Sequence, residues 1–118
     1  MTGQEFCELM GRFKFRHTSE ADLQRAIAQV LTKEGVPFRA EVKLGPRERI
    51  DFLLEGGCGV EVKVKGSATQ AARQLQRYAR SADITELVLV TSRSQVGAQL
   101  DAYLGKPVRV HMILGGLG

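Results

Sequence analysis

The amino-acid sequence predicts an α/β domain in which helices flank a mixed central sheet. Three patterns point there. Leu23, Ile27, Val30 and Leu31 recur at helical spacing after Ser19, a residue able to cap a helix. Three short segments of alternating polarity follow, at 38–44, 48–54 and 58–65. A second helical pattern at 67–82 then leads into the apolar run Leu87-Val88-Leu89-Val90, which has the character of a strand buried on both faces.

At the N-terminus, residues 1–18 mix Phe6, Leu9, Met10, Phe13 and Phe15 with basic residues and keep no clean period. That fits either a short helix or an arm packed on the body. The helix from Ser19 stops at Gly35-Val36-Pro37. Gly45-Pro46-Arg47 and Glu55-Gly56-Gly57 separate the alternating segments, which therefore form an antiparallel meander. Within 67–82, Ala71, Leu75, Tyr78 and Ala82 share one face, and Arg73, Gln76 and Arg80 the opposite one. A helical crossover makes the strand at 86–91 parallel to the one before the helix. A helix over 94–104 and a strand over 107–114 complete an α-β-β-β-α-β order with an α-β extension. One domain spans 1–118, with a core at about 19–92, an N-terminal arm 1–18 and a C-terminal helix and strand at 93–114.

Composition narrows the class. With 43% apolar residues, few aromatics and no Trp, the core must be built from Val, Leu, Ile and Ala, which suits a sheet covered by helices. Lys and Arg outnumber Asp and Glu by 17 to 13, a mild excess that favours anionic partners. Cys7 and Cys58 lie far apart without a CxxC or Cys/His cluster, which argues against structural zinc. The expected compartment is cytoplasmic, with both thiols reduced. No apolar run approaches the ~20 residues of a membrane span, so no membrane partner is expected. No Gly-rich phosphate loop suggests an organic cofactor.

Alternation along 48–54 sends Ile50, Phe52 and Leu54 to one face, and Arg49 and Asp51 to the other. Along 58–65, Val60, Val62 and Val64 share a face, and Glu61, Lys63 and Lys65 the opposite one. If these strands pair around Glu55-Gly56-Gly57, Asp51 and Glu61 come from neighbouring strands and can converge on one ion. Two carboxylates so placed suit magnesium, which keeps several waters for a substrate phosphate. Lys63 beside such a water can orient it and stabilise charge developing on the phosphate. For any one strand a solvated sheet face is the better explanation of alternating charge, and the wider constellation reverses that.

Taken together, Arg49-Ile50-Asp51-Phe52-Leu53-Leu54 and Gly59-Val60-Glu61-Val62-Lys63 resemble the aspartate strand and the (D/E)XK strand of the PD-(D/E)XK nuclease superfamily. That superfamily includes type II restriction enzymes, archaeal Holliday-junction resolvases and RecB-like nuclease domains. The resemblance covers roughly 19–91, with Ile50 where the family has a proline, a departure many members share. It implies a restriction-endonuclease-like αβββαβ core and a Mg2+ ion, replaceable by Mn2+, on Asp51, Glu61 and the backbone carbonyl of Val62. It further implies a catalytic Lys63 and hydrolysis of DNA by an activated water, without a covalent enzyme intermediate. Gln74 and Tyr78 match the Q-x-x-x-Y pattern of RecB-like members, in which the Gln supports the active site. Tyr78 itself falls on the apolar face and is expected in the core.

Glu20 projects from the same face as Ile27 and Leu31, where a carboxylate needs a partner. It either interacts with the helix dipole or, as the resemblance to members with an acidic residue in the first core helix implies, joins in metal or water binding. Arg73, Arg77 and Arg80 on the second helix, and Arg47, Arg49 and Lys65 near the strands, can track a phosphate backbone or form an ordinary solvated surface. Glu41 and Lys43 can flank the site, whereas His17 and His111 lack metal-ligand spacing. The expected activity is that of an endonuclease, and a chain this small suits a homodimer that cuts two strands or a branched junction, as a resolvase does. The alternative is a non-catalytic nucleic-acid-binding module that keeps the fold; the intact trio Asp51, Glu61 and Lys63 counts against it.

Overall fold

The computed structural model describes residues 1–15, 19–92 and 102–113. In chain order these form α1 (Gly3–Met10), α2 (Glu20–Lys33), β1 (Phe38–Gly45), β2 (Glu48–Leu54), β3 (Cys58–Lys63), α3 (Ala68–Ala79), β4 (Glu86–Thr91), β5 (Ala102–Tyr103) and β6 (Lys106–Met112). The strands make one mixed sheet in the order β1-β2-β3-β4-β6-β5. β1, β2 and β3 form the antiparallel meander. α3 carries the chain over to β4, which runs parallel to β3, and β6 lies parallel to β4 on its far side.

Capping chemistry fixes where the central helices begin. The Ser19 hydroxyl accepts from the Asp22 N–H at 3.1 Å. Ser67 does the same for Gln70 at 3.1 Å, and the Gln70 side chain accepts in return from the Ser67 N–H at 3.2 Å, a reciprocal capping box. At the other end of α3, the Lys106 ammonium donates to the carbonyls of Ala79 and Ser81 at 2.7 and 2.8 Å. It satisfies acceptors that the helix leaves open and ties the C-terminal β5–β6 hairpin to α3.

Two apolar layers hold the sheet. On one face, Phe6 and Met10 of α1 and Leu23, Ile27 and Leu31 of α2 pack on Phe52, Val60, Val62, Val88 and Val90. On the other, Ala71, Leu75 and Tyr78 of α3 pack on Leu53, Leu87, Leu89 and Val108. Each fully buried Leu, Ile, Val or Phe contributes about 1.5–3 kcal/mol. β4 supplies both layers, which explains its unbroken apolar run. Burial pushes the free Cys58 thiol up to about 12, leaving almost none of it as reactive thiolate.

Residues 3–10 form a helix, one of the two forms expected there, and its Phe6 and Met10 are wholly buried. Several other expectations are corrected. α3 ends at Ala79, which leaves Ala82 exposed beyond the helix. The helix expected over 94–104 falls mostly outside the described residues, but Ala102–Tyr103 is a strand paired with β6; its last part is a hairpin, with Leu104 and Gly105 at positive φ in the turn. β3 stops at Lys63, two residues short of the expected end, yet Val64 still packs on the layer of Val60 and Val62 and Lys65 lines the same cleft as Lys63. Ile50 faces the α3 layer, whereas Phe52 and Leu54 face α1 and α2. The strand changes face at Asp51, opposite Glu41, where β1 has φ 52° and the pairing register skips both residues. Gly59 makes room for this, since a Cβ there would lie 2.5 Å from the Ile50 side chain. Among the described residues, no helix is long and apolar enough to cross a membrane.

Candidate active site

β2 and β3 pair directly only at Phe52↔Val60 and Leu53↔Gly59. Beyond those pairs the strands part, and carboxylates take over from the ladder. The Asp51 N–H donates to Glu61 Oε1 at 3.2 Å, and the Val62 N–H donates to Asp51 Oδ2 at 2.8 Å. Further along, the N–H groups of Val64 and Lys65 donate to Glu20 Oε1 at 2.9 and 3.3 Å. Backbone donors freed from a sheet need acceptors, and here acidic side chains supply them. Asp51 and Glu61 are thereby brought together, as their spacing predicted.

Glu61 is also held from the α3 side. Its Oε2 lies 3.2 Å from the Tyr78 hydroxyl, which donates to the Arg49 carbonyl at 2.7 Å and accepts from Gln74 Nε2 at 2.7 Å. Tyr78 is in the core, as expected, yet its polar tip reaches the acidic pair. Gln74 therefore acts on Glu61 through Tyr78. From the opposite side, Gln24 of α2 lines the same groove as Asp51 and favours its ionised carboxylate. The sequence pattern did not single out Gln24. Its signal was its position one helical turn after Glu20, on the same face of α2.

The electrostatics follow from this enclosure. Glu61 is 5% exposed; burial first, then the Asp51 charge, push its pKa up to about 8 against the Asp51 N–H, Lys63 and Tyr78. Asp51 is raised as well, by burial and by the Glu20 charge, with the Val62 N–H, Gln24 and a bond to Glu61 opposing. Two buried carboxylates in contact cannot both ionise cheaply, so near neutral pH the pair holds one shared proton. Tyr78 is raised by burial and by the Glu61 charge and stays neutral.

This donor set fits a hard divalent cation. Two adjoining carboxylates with the Val62 peptide tied to one of them offer only oxygen ligands, and magnesium commonly uses one or two carboxylates with water completing the shell. A cation would compensate the charge that a proton compensates now. Among the described residues, no three His, Cys, Asp or Glu side chains gather as a preformed metal cage. Glu20 is turned to the exit of β3 instead.

Lys63, Glu20, Lys65, Gly66, Gln70, Gln74 and Arg77 line a cleft of ≈ 720 Å³. Lys43, Arg47, Arg49 and Gln74 belong to a second opening beside it, so Gln74 stands where the two meet. Arg77 is paired with Glu48, Nε to Oε1 at 3.1 Å. Arg73 is exposed on α3 and lines neither opening. Glu41 and Asp51 face a third groove, with Gln24, Arg25 and Phe52, on the α2 side. His17 lies outside the described residues, and His111 is half-buried on β6 with its pKa lowered by burial. No protein-family model, curated protein or solved structure matches the chain.

Proposed function

We propose that this chain is a metal-dependent nuclease of the PD-(D/E)XK kind, with a restriction-endonuclease-like core, that hydrolyses phosphodiester bonds in DNA. The observation that carries the proposal is the Asp51 and Glu61 pair at the parting of β2 and β3, with Lys63 at the end of β3 opening into a basic cleft. Asp51, Glu61 and the Val62 carbonyl would hold Mg2+, or Mn2+ in its place. When bound, such an ion polarises the phosphate and lowers the pKa of a water.

The side chains divide the remaining work. On holding the ion Glu61 would release its proton to solvent, and Tyr78 with Gln74 keeps its carboxylate in place. The Lys63 ammonium orients the attacking water and offsets negative charge developing on the phosphate. Lys65, Arg47, Arg49 and Arg77 neutralise the neighbouring phosphates. No nucleophilic side chain is needed, because the water attacks directly.

Incubation of the pure protein with linear, circular and four-way-junction DNA, in magnesium, manganese or EDTA, tests this. Cleavage that requires the metal is expected, and preference for the junction would make the chain a resolvase-type enzyme. A non-catalytic nucleic-acid-binding module is the second reading, favoured by one observation: Glu20 is engaged with backbone amides and, among the described residues, no third carboxylate joins the pair. Tight DNA binding without cleavage in either metal would select it.

A further inference from the structure

We infer that the backbone amides of Val64 and Lys65 form an oxyanion site for a phosphate group of the nucleic-acid backbone, and that Glu20 occupies this site as an internal stand-in for the substrate. The ligand identity rests on the nuclease reading; the site itself rests on geometry. Two successive N–H groups converge on one oxygen, Glu20 Oε1, at 2.9 and 3.3 Å. Amides that converge in this way at a turn make a concave anion receptor. A phosphate oxygen has the charge and the acceptor capacity that the carboxylate oxygen now supplies.

The surroundings suit a phosphate better than a carboxylate on a helix. Lys63, Lys65 and Arg77 line the same cleft as Glu20, so an anion at the two amides would lie among positive charges. Glu20 is half-exposed, which lets solvent and solutes reach its carboxylate. It is also the first residue of α2, so it can swing out without disturbing the Leu23, Ile27 and Leu31 side chains that fix the helix in the core.

Self-occupancy has a selective effect. A free phosphate ion must displace the tethered carboxylate by a single-site exchange, whereas a polynucleotide brings several phosphates to the lysines and arginines at once. The wild-type site is thus closed to small anions and open to a polymer. Removing the Glu20 carboxylate should abolish that distinction.

Amide chemical shifts of Val64 and Lys65 in ¹⁵N-labelled protein report the site directly, without any need for turnover. In the wild type, a DNA oligonucleotide should shift both amides, and inorganic phosphate at the same phosphate concentration should not. In Glu20→Ala, inorganic phosphate alone should shift them, with an apparent Kd lower by about tenfold or more, since a competing charged hydrogen bond is gone. Glu20→Gln, which keeps an acceptor but loses the charge, should fall between and serves if the Ala variant does not fold. Unchanged Val64 and Lys65 amides in either folded variant, at saturating phosphate and oligonucleotide, would overturn the inference even if DNA is cleaved. Shifts in the absence of any cleavage would leave the anion site standing and count against the nuclease.

Discussion

The Tyr78 hydroxyl sits between two strands, 2.7 Å from the Arg49 carbonyl of β2 and 3.2 Å from Glu61 Oε2 of β3. It bridges the gap at the point where the strands have parted. Tyr78→Phe keeps the ring in its fully buried slot and removes the bridge. The Arg49 carbonyl and one Glu61 oxygen then lose a partner, which costs about 1–3 kcal/mol for a buried acceptor left unsatisfied. Urea denaturation should show that loss, and turnover should fall more than DNA affinity. Gln74→Ala, which acts one bond further out, should give a smaller effect in the same direction.

Asp51→Ala and Glu61→Ala should each lower metal-dependent cleavage by about 10²-fold or more, because each removes part of a charge-stabilising ligand set worth several kcal/mol. DNA binding in calcium or EDTA should survive, since the lysines and arginines of the two openings are untouched. Single-turnover cleavage alongside fluorescence anisotropy checks both halves. Near-normal cleavage in either variant would place the reacting centre elsewhere.

Lys63 and Lys65 share a cleft but not a strand: Lys63 is the last residue of β3, and Lys65 lies in the turn beyond it. Lys63→Ala should depress turnover at saturating DNA and leave the salt dependence of binding nearly unchanged. Lys65→Ala should weaken binding and reduce the log-log salt slope by about 1 for each phosphate that Lys65 neutralises. Equal turnover defects in both would contradict the division of roles.

Stability should fall as pH rises through the window set by Glu61. The unfolded chain releases this proton near 4.5, whereas the folded chain holds it to about 8. Between those values the unfolded state binds fewer protons, so the folded state loses up to about 1.4 kcal/mol per pH unit. Above the folded value the effect levels off. Asp51 adds in the same direction, while His111, whose pKa is lowered, acts oppositely and only on the acid side. Thermal melts in EDTA from pH 5 to 9 should show the decline. Glu61→Gln, which carries no titrating proton, should flatten it, and magnesium should restore more stability at pH 8 than at pH 5.

Much of the fold was legible from residue patterns because the patterns reflect local physics. Ser19 and Ser67 cap helices by hydrogen bonds that span three residues, and β4 is apolar on both faces because both layers use it. Asp51 and Glu61 were expected on adjacent strands and are brought together there. Alternation failed at Ile50, where the space above Gly59 and the irregular Glu41 backbone let β2 change face; neither is visible in a period of two. Tyr78 was readable as core but not as a site residue, because one ring is both. The amides of Val64 and Lys65 were invisible for a different reason. Their roles depend on how far β2 and β3 stay paired, and no single segment encodes that distance.

The burial of α1 bears on where this polypeptide can be divided. A fragment trimmed to begin at Ser19 would retain every strand of the meander and every acidic residue of the pair, yet the sheet face under Phe6 and Met10 would open to water. Exposed Val88 and Val90 would then invite self-association. Such a fragment should come out of cells as aggregate, and adding the peptide 1–18 in trans would be a more informative rescue than any change of buffer.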